Sequence, residues 1–379
     1  MIIGIAGTAK NTGKTTALSV LLREAHRREL ATGLTGIGYD GEERDTVTML
    51  PKPRLYLETG TLVTTSAACL RVSGAGLEQV EQTPFRTALG QVVILRVTSP
   101  GLVVVAGPNK TDELRLVVSR MQAMGAGYVF VDGSLNRIAP MVVAECLVFA
   151  TGAARTTDID RLVTETLAIE RLFSFPGVTT PTAPASGIQL IGEEVQVHRA
   201  SCSVQGGEEM EMALRNIPDR LRQVIVPGMV TLQGLTALVR LSLRLSPGST
   251  RSSPDHEPAH TNQMSDETPV QVVFDDPFKL LLAGDPAKTA AFLGQMDSRV
   301  ARISYRHAPR LVAIAINPSY PAFDGTVYHA SLLDPSTMLE RFRGRLTTPT
   351  ADVFAPGGES GFCSAVFDSS PTANAPAPV

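Results

Sequence analysis

Apolar residues fill positions 2–6 almost without a break, which predicts a strand buried on both faces. The pattern then changes. Leu18, Leu21, Leu22 and Ala25 recur at the helical period with Arg23, Arg27 and Arg28 between them, so residues 15–28 are expected to form a helix. Further strands are expected at 33–39, 55–57 and 62–65. The runs 91–98 and 102–106 flank Ser99-Pro100-Gly101 and predict a hairpin whose second arm joins the main sheet. Leu114, Val117, Val118 and Met121 form one stripe of a helix over 110–125, which leads to an apolar strand at 128–131. Strand, helix and strand in this order predict a crossover in a mostly parallel sheet.

The second half is less regular. A helix is expected at 155–173, and Phe175 to Ser186 has the composition of a linker, with a domain boundary near Pro184. Strands are expected at 188–191, 194–198, 221–226, 270–274 and 311–316, with a last one at Val366-Phe367. Helices are expected at 208–216, 231–241 and 286–293. Residues 246–268 are polar and proline-rich and are expected to be a flexible insertion; the Ala/Pro tail 369–379 is expected to fray. The expected architecture is α/β, with a first domain over 1–183 built on a mostly parallel sheet and a second, smaller α/β domain over 184–368.

The chemistry begins between the first strand and the first helix. Gly7-Thr8-Ala9-Lys10-Asn11-Thr12-Gly13-Lys14-Thr15-Thr16 is a glycine turn that ends in Gly-Lys-Thr where the helix should start. Such a turn is a P-loop. Backbone N–H groups at a helix N-terminus attract phosphate, the lysine reaches the β and γ phosphates, and the threonine hydroxyl contacts magnesium. Gly7, Thr8, Lys10, Asn11, Thr12, Gly13, Lys14, Thr15 and Thr16 are the candidate nucleotide-binding residues. The usual spacing asks for glycine at position 8, and here it stands at 7. Lys10 is one place away from position 9, where a dimerising subclass carries an extra lysine. The run therefore resembles the loop of dethiobiotin synthetase and cobyrinate amidotransferase proteins. A chance glycine turn and a degenerate loop that binds but barely hydrolyses are the plainer alternatives. A domain of the P-loop NTPase kind, with ATP and Mg2+ as ligands, is the expectation, and GTP stays open.

Carboxylates at strand ends are the natural partners of such a loop. Asp40 follows the second expected strand, and Asp132 ends the apolar run Tyr128-Val-Phe-Val131 in the manner of a Walker B strand. Lys14, Asp40 and Asp132 are the candidate catalytic residues; Thr15, Asp40 and Asp132 are the candidate metal contacts. Glu42 and Asp45 are weaker candidates, and an acidic solvent loop would have the same letters. Asn136 and Arg137 follow Asp132 closely enough to reach phosphate or a partner. Asn109-Lys110-Thr111-Asp112 spells the base reader of guanine-specific switches, but precedes Asp132 instead of following it, and a helix start has the same composition.

Composition narrows the class. Net charge is −3 and aromatic residues are 5 % of the 379, so a nucleic-acid partner is not indicated. Four scattered cysteines without a CxxC pair suggest neither a disulfide framework nor a thiolate metal site, which fits a reducing cytoplasm. His256 and His260 are separated by Pro258, which argues against a helical metal pair. No apolar run is long enough to span a membrane. No nucleophilic triad can be assembled, and Cys202 and Cys363 lack the setting of a glutaminase.

Longer phrases resemble a particular family. The segments 4–16, 36–42, 131–137 and 150–153, with Val226-Pro-Gly-Met-Val-Thr231 and Ile316-Asn-Pro318, resemble the P-loop subunit of the reactivating factor for lysine 5,6-aminomutase and ornithine aminomutase. The resemblance implies ATP-dependent release of damaged cofactor from an adenosylcobalamin enzyme. Its implied partners are that aminomutase and a second reactivase subunit; a homo-oligomer is compatible with it. The cobalamin-ligating pattern Asp-x-His-x-x-Gly is absent, so binding of cobalamin itself is not implied. The rival functions are an ATP-dependent small-molecule ligase like dethiobiotin synthetase and a nonenzymatic nucleotide-dependent scaffold.

Overall fold

The computed structural model describes residues 1–38, 55–134, 138–178, 187–192, 195–198, 203–204, 221–245, 269–299, 301–355 and 357–368. The expected helix at 208–216, the insertion 246–268, the tail 369–379, Pro184 and Cys202 lie outside these residues.

The chain divides into two units, and the division is not sequential. Residues 1–170 and 309–379 form one unit, and 171–308 form the other. The expected split into 1–183 and 184–368 therefore gives way to an arrangement in which the chain returns. The returning strand explains it. Arg310–Asn317 is buried over most of its length and lies between two parallel neighbours in the first unit's sheet. A strand apolar on both faces needs partners on both edges.

The strands of the first unit are β1 Ile2–Gly7, β2 Thr32–Gly36, β3 Leu55–Leu57, β4 Leu62–Ser66, β5 Gly76–Thr87, β6 Gly90–Ser99, β7 Gly101–Val103, β8 Tyr128–Ser134 and β9 Cys146–Gly152. After the second unit come β15 Arg310–Asn317, β16 Ser319–Phe323, β17 Tyr328–Leu332 and β18 Thr350–Ala351, the strands of the second unit taking the numbers between. Among the described residues the main sheet has nine strands in the order β18-β15-β9-β1-β8-β2-β4-β6-β5. From β18 to β4 every pairing is parallel; β6 and β5 are added antiparallel. This is a mixed α/β fold of the generic Rossmann-like kind, with a predominantly parallel sheet.

Helices α1 Lys14–Arg27, α2 Thr111–Ala123 and α3 Ile159–Phe173 fall where the periodicity predicts. The stripe Leu114, Val117, Val118 and Met121 is buried throughout. Ile3, Ile5, Leu18, Leu21, Phe130 and Val148 belong to one core under α1.

Two expectations change. The second arm of the 91–106 hairpin does not enter the main sheet: β7 pairs antiparallel with β3, while β6 takes the sheet position beside β4. Residues 366–367 are not a strand; they end a helix, Gly358–Phe367, whose Phe362, Cys363, Val366 and Phe367 are buried. Its last ring meets Tyr128 and Phe130 edge-on at 5.6 and 6.5 Å between centroids.

In the second unit β10 Ile188–Ile191, β11 Val195–His198, β12 Gln223–Val226, β13 Val270–Phe274 and β14 Ala301–Tyr305 form a sheet in the order β11-β10-β12-β13-β14. The last three are parallel. Helices Leu232–Leu245 and Pro286–Arg299 lie near their expected positions. The first is capped by Thr231, whose hydroxyl accepts from Gly234 N–H at 3.1 Å. Buried Tyr305 donates to the Leu172 carbonyl at 2.7 Å.

Candidate functional site

β1 is central in its sheet, with β8 on one edge and β9 on the other, all parallel. The segment 8–13 therefore leaves the carboxyl end of a buried strand, which is the ligand-binding end in open α/β sheets. Gly13 occupies the left-handed region (φ 91°, ψ 8°) and opens α1 without a side-chain cap. A Cβ at Gly13 would stand 2.9 Å from the Phe354 ring and 3.1 Å from Asn317 Cβ, so both conformation and space favour glycine there. The first N–H groups of α1 precede the helical ladder, which begins with Ala17 N–H donating to the Gly13 carbonyl at 2.9 Å.

The loop is pinned from below. Thr8 N–H donates to the Ala150 carbonyl at 2.9 Å, and the buried Thr8 hydroxyl meets the Thr151 hydroxyl at 3.0 Å. Thr12 is buried and donates to the Ala9 carbonyl at 2.9 Å. Lys10 and Asn11 are exposed, whereas Lys14, Thr15 and Thr16 are half-buried.

Asp132 lies in the carboxyl-terminal half of β8, beside the loop. Its Oδ1 is 2.6 Å from Lys14 Nζ, with the two side chains 12 % and 14 % exposed. That contact is an ion pair, and among the described residues the buried Oδ1 has no further partner. Asp132, expected with Thr15 as a metal contact, has Lys14 as its charged neighbour. Asp40, Glu42, Asp45, Asn136 and Arg137 lie outside the described residues. Among the described residues no group of three His, Cys, Asp or Glu side chains could hold a metal.

Two contributors come from the returning segment. Asn317, 5 % exposed at the end of β15, donates through Nδ2 to the Asn11 carbonyl at 2.9 Å and accepts at Oδ1 from Ser319 N–H at 2.9 Å. Its own carbonyl accepts from Ala153 N–H at 2.8 Å, and a Cβ on Gly152 would run into that carbonyl. Phe354, in the turn after β18, rests over Gly13 and is still 42 % exposed. The sequence signal for Asn317 was a polar residue ending an apolar strand; its partner, some three hundred positions away, was not legible.

The Asn109–Asp112 element precedes and enters α2, where Lys110 pairs with Glu113 at 3.1 Å and Asp112 with Arg115 at 2.8 Å. The Pro227-Gly228 turn of the second unit is closed by Lys279, which donates to the Pro227 carbonyl at 2.7 Å and pairs with Asp275. Burial, reinforced by the carboxylates of Glu24 and Glu359, pushes the Cys363 thiol up to about 11, the opposite of an activated nucleophile. Among the described residues no helix is long and apolar enough to cross a membrane.

Comparison with protein-family models, with curated proteins and with solved structures finds no match to this chain.

Proposed function

We propose that residues 7–16 bind the phosphates of a nucleoside triphosphate with magnesium, and that its hydrolysis drives remodelling of a protein partner. The observation that carries this reading is the Lys14–Asp132 pair between the start of α1 and the carboxyl end of β8, whose buried carboxylate oxygen has no further partner among the described residues. A lysine and an aspartate so placed suit the two ends of a metal–phosphate group.

Gly13 lets the backbone approach the phosphates, and the first N–H groups of α1 are directed to them. Lys14 moves from Asp132 to the β and γ oxygens. Thr15 and Asp132 would hold magnesium, directly or through its waters; one hydroxyl and one carboxylate match an ion that shares its shell with substrate phosphates. Magnesium supplies charge neutralisation on those phosphates. Asp40 is kept as a candidate for orienting the attacking water. ATP is the nucleotide that the resemblance of the loop implies, and GTP stays open.

The partner reading rests on the sequence phrases: an adenosylcobalamin-dependent lysine or ornithine aminomutase, from which damaged cofactor is exchanged, acting with a second reactivase subunit in the cytoplasm. One structural feature favours a protein partner. Asn317 grips the loop and leads straight into the β16–β17 hairpin, whose Phe323, Val327 and Leu332 are 58–59 % exposed. Nucleotide at the loop and partner at the hairpin would then be linked through one residue.

The test is recovery of a lysine 5,6-aminomutase inactivated by turnover, on addition of this chain, Mg·ATP and fresh adenosylcobalamin, with and without a second subunit. Recovery that needs ATP and is lost in Lys14→Ala is expected. Equal recovery with Lys14→Ala would sink the proposal. No recovery, with phosphorylation of a small carboxylic or amino substrate instead, would transfer the site to a ligase of the dethiobiotin synthetase type.

A further inference from the structure

Nucleotide binding at the loop leaves open where the nucleoside goes and whether its base is read. The two flanks of β1 differ. On the β8 side stands Asp132, the carboxylate beside Lys14. On the β9 side, further along the sheet, the ends of β15 and β18 deliver Asn317 and Phe354 onto Asn11 and Gly13. If the metal and terminal phosphate belong with Asp132, the nucleoside must leave the loop on the other flank.

Phe354 waits there. Its ring edge would meet a Cβ on Gly13 at 2.9 and 3.0 Å, yet 42 % of the residue is open. An aromatic ring that packs against a glycine of the loop and stays exposed contributes little to the core. It also lines a cavity of about 790 Å³ together with Val20, Arg23 and Glu24 of α1 and Glu359 and Cys363 of the helix Gly358–Phe367. Its position is fixed by its own backbone: Phe354 N–H donates to the buried Asp352 carboxylate at 2.8 Å.

Among the described residues the Asn317 amide is committed to holding the loop and the turn: Nδ2 donates to the Asn11 carbonyl and Oδ1 accepts from Ser319 N–H. The Asn109–Asp112 element lies on the opposite flank: the residues just before it run beside β4 and β2, Ala106 N–H donating to Thr64 and Gly107 N–H to Gly38. It cannot serve a base that leaves on the β15 and β18 side.

We infer that Phe354 is the platform on which the nucleobase stacks, and that the chain takes purine nucleoside triphosphates by stacking, without distinguishing adenine from guanine. This rests on the phosphate-binding reading of the loop. Every base has a π face, so stacking tolerates a change of base.

The experiment is calorimetric titration of the full chain with Mg·ATP, Mg·GTP and Mg·tripolyphosphate, for wild type, Phe354→Ala, Phe354→Trp and Lys14→Ala. Phe354→Ala should weaken both nucleotides by roughly five- to hundred-fold. Tripolyphosphate, which has no base, should bind that variant as it binds wild type, and Phe354→Trp should retain both nucleotides. ATP and GTP should bind wild type within a few-fold of each other. Equal losses for tripolyphosphate and ATP in Phe354→Ala would make the ring a support for the loop and overturn the inference. Unchanged ATP binding in Phe354→Ala, or strong preference for one purine, would also overturn it. Wild type that binds tripolyphosphate and loses it in Lys14→Ala upholds the loop whatever Phe354 does. Wild type that binds none of the three ligands overturns both readings.

Discussion

Lys14 Nζ lies 2.6 Å from Asp132 Oδ1, joining the first residue of α1 to the carboxyl end of β8. The two are 118 positions apart in sequence, from 14 to 132, and meet because β1 and β8 are parallel neighbours. In the proposed reading each side chain exchanges the other for part of the ligand.

Asp132→Asn should separate binding from turnover. The neutral amide removes the attraction that holds Lys14 away from phosphate, so nucleotide should still bind. Mg-dependent hydrolysis should fall by two orders of magnitude or so, since one charged group near a phosphoryl transfer is worth about that much. Steady-state phosphate release and equilibrium binding, measured on the same preparation, check the split. Unchanged hydrolysis would remove Asp132 from the site.

Asn317→Ala should loosen the loop. The substitution deletes one hydrogen bond to the Asn11 carbonyl and one from Ser319 N–H inside a buried setting. A loss of about 1–3 kcal/mol in stability is expected. Denaturant unfolding measures it. Added Mg·ATP should recover part of the loss, because a ligand that holds the loop stabilises the folded state by mass action.

Acid should act through Glu24. Arg27 and Arg28 hydrogen-bond its carboxylate and hold it down to about 2 from an ordinary value of 4.5. A depressed carboxyl stabilises the fold above its unfolded value, and that contribution is lost as pH falls from about 4.5 through about 2. Glu24→Gln should therefore cost ~1 kcal/mol near neutral pH, kept small by the exposed Arg27. The gap between variant and wild type should close in acid. Thermal melts at pH 7 and pH 3 follow it; a gap that widens in acid would contradict the assignment.

Elements with strong local patterns were legible from the chain. The buried run before Gly7, the α2 stripe and the Gly-Lys-Thr helix start each depend on neighbours within a few turns. What was not legible depends on pairing. β5 is polar along most of its length and carries Pro84, so only its pairing with β6 at the sheet edge makes it a strand. Val366 and Phe367 look like a short strand until Phe362 and Cys363 are seen to share their buried face. Arg310–Asn317 has the composition of a strand in any sheet; its insertion beside β9 brings Asn317 to the loop and moves the domain boundary. Of the site, the loop and Asp132 came from local motifs. Asn317, Thr151 and Phe354 come from distant strand ends, and no local pattern showed that they meet the loop.

In the proposed reading residues 7–16 bind a nucleoside triphosphate through Lys14. Titration of wild type and Lys14→Ala with Mg·ATP, each checked for an unchanged far-UV spectrum, tests it most directly. Saturable binding to wild type is expected, with a loss of at least about tenfold in the variant from removal of one charge-assisted phosphate contact. Absence of binding to folded wild type, or equal affinity in the two proteins, would contradict it.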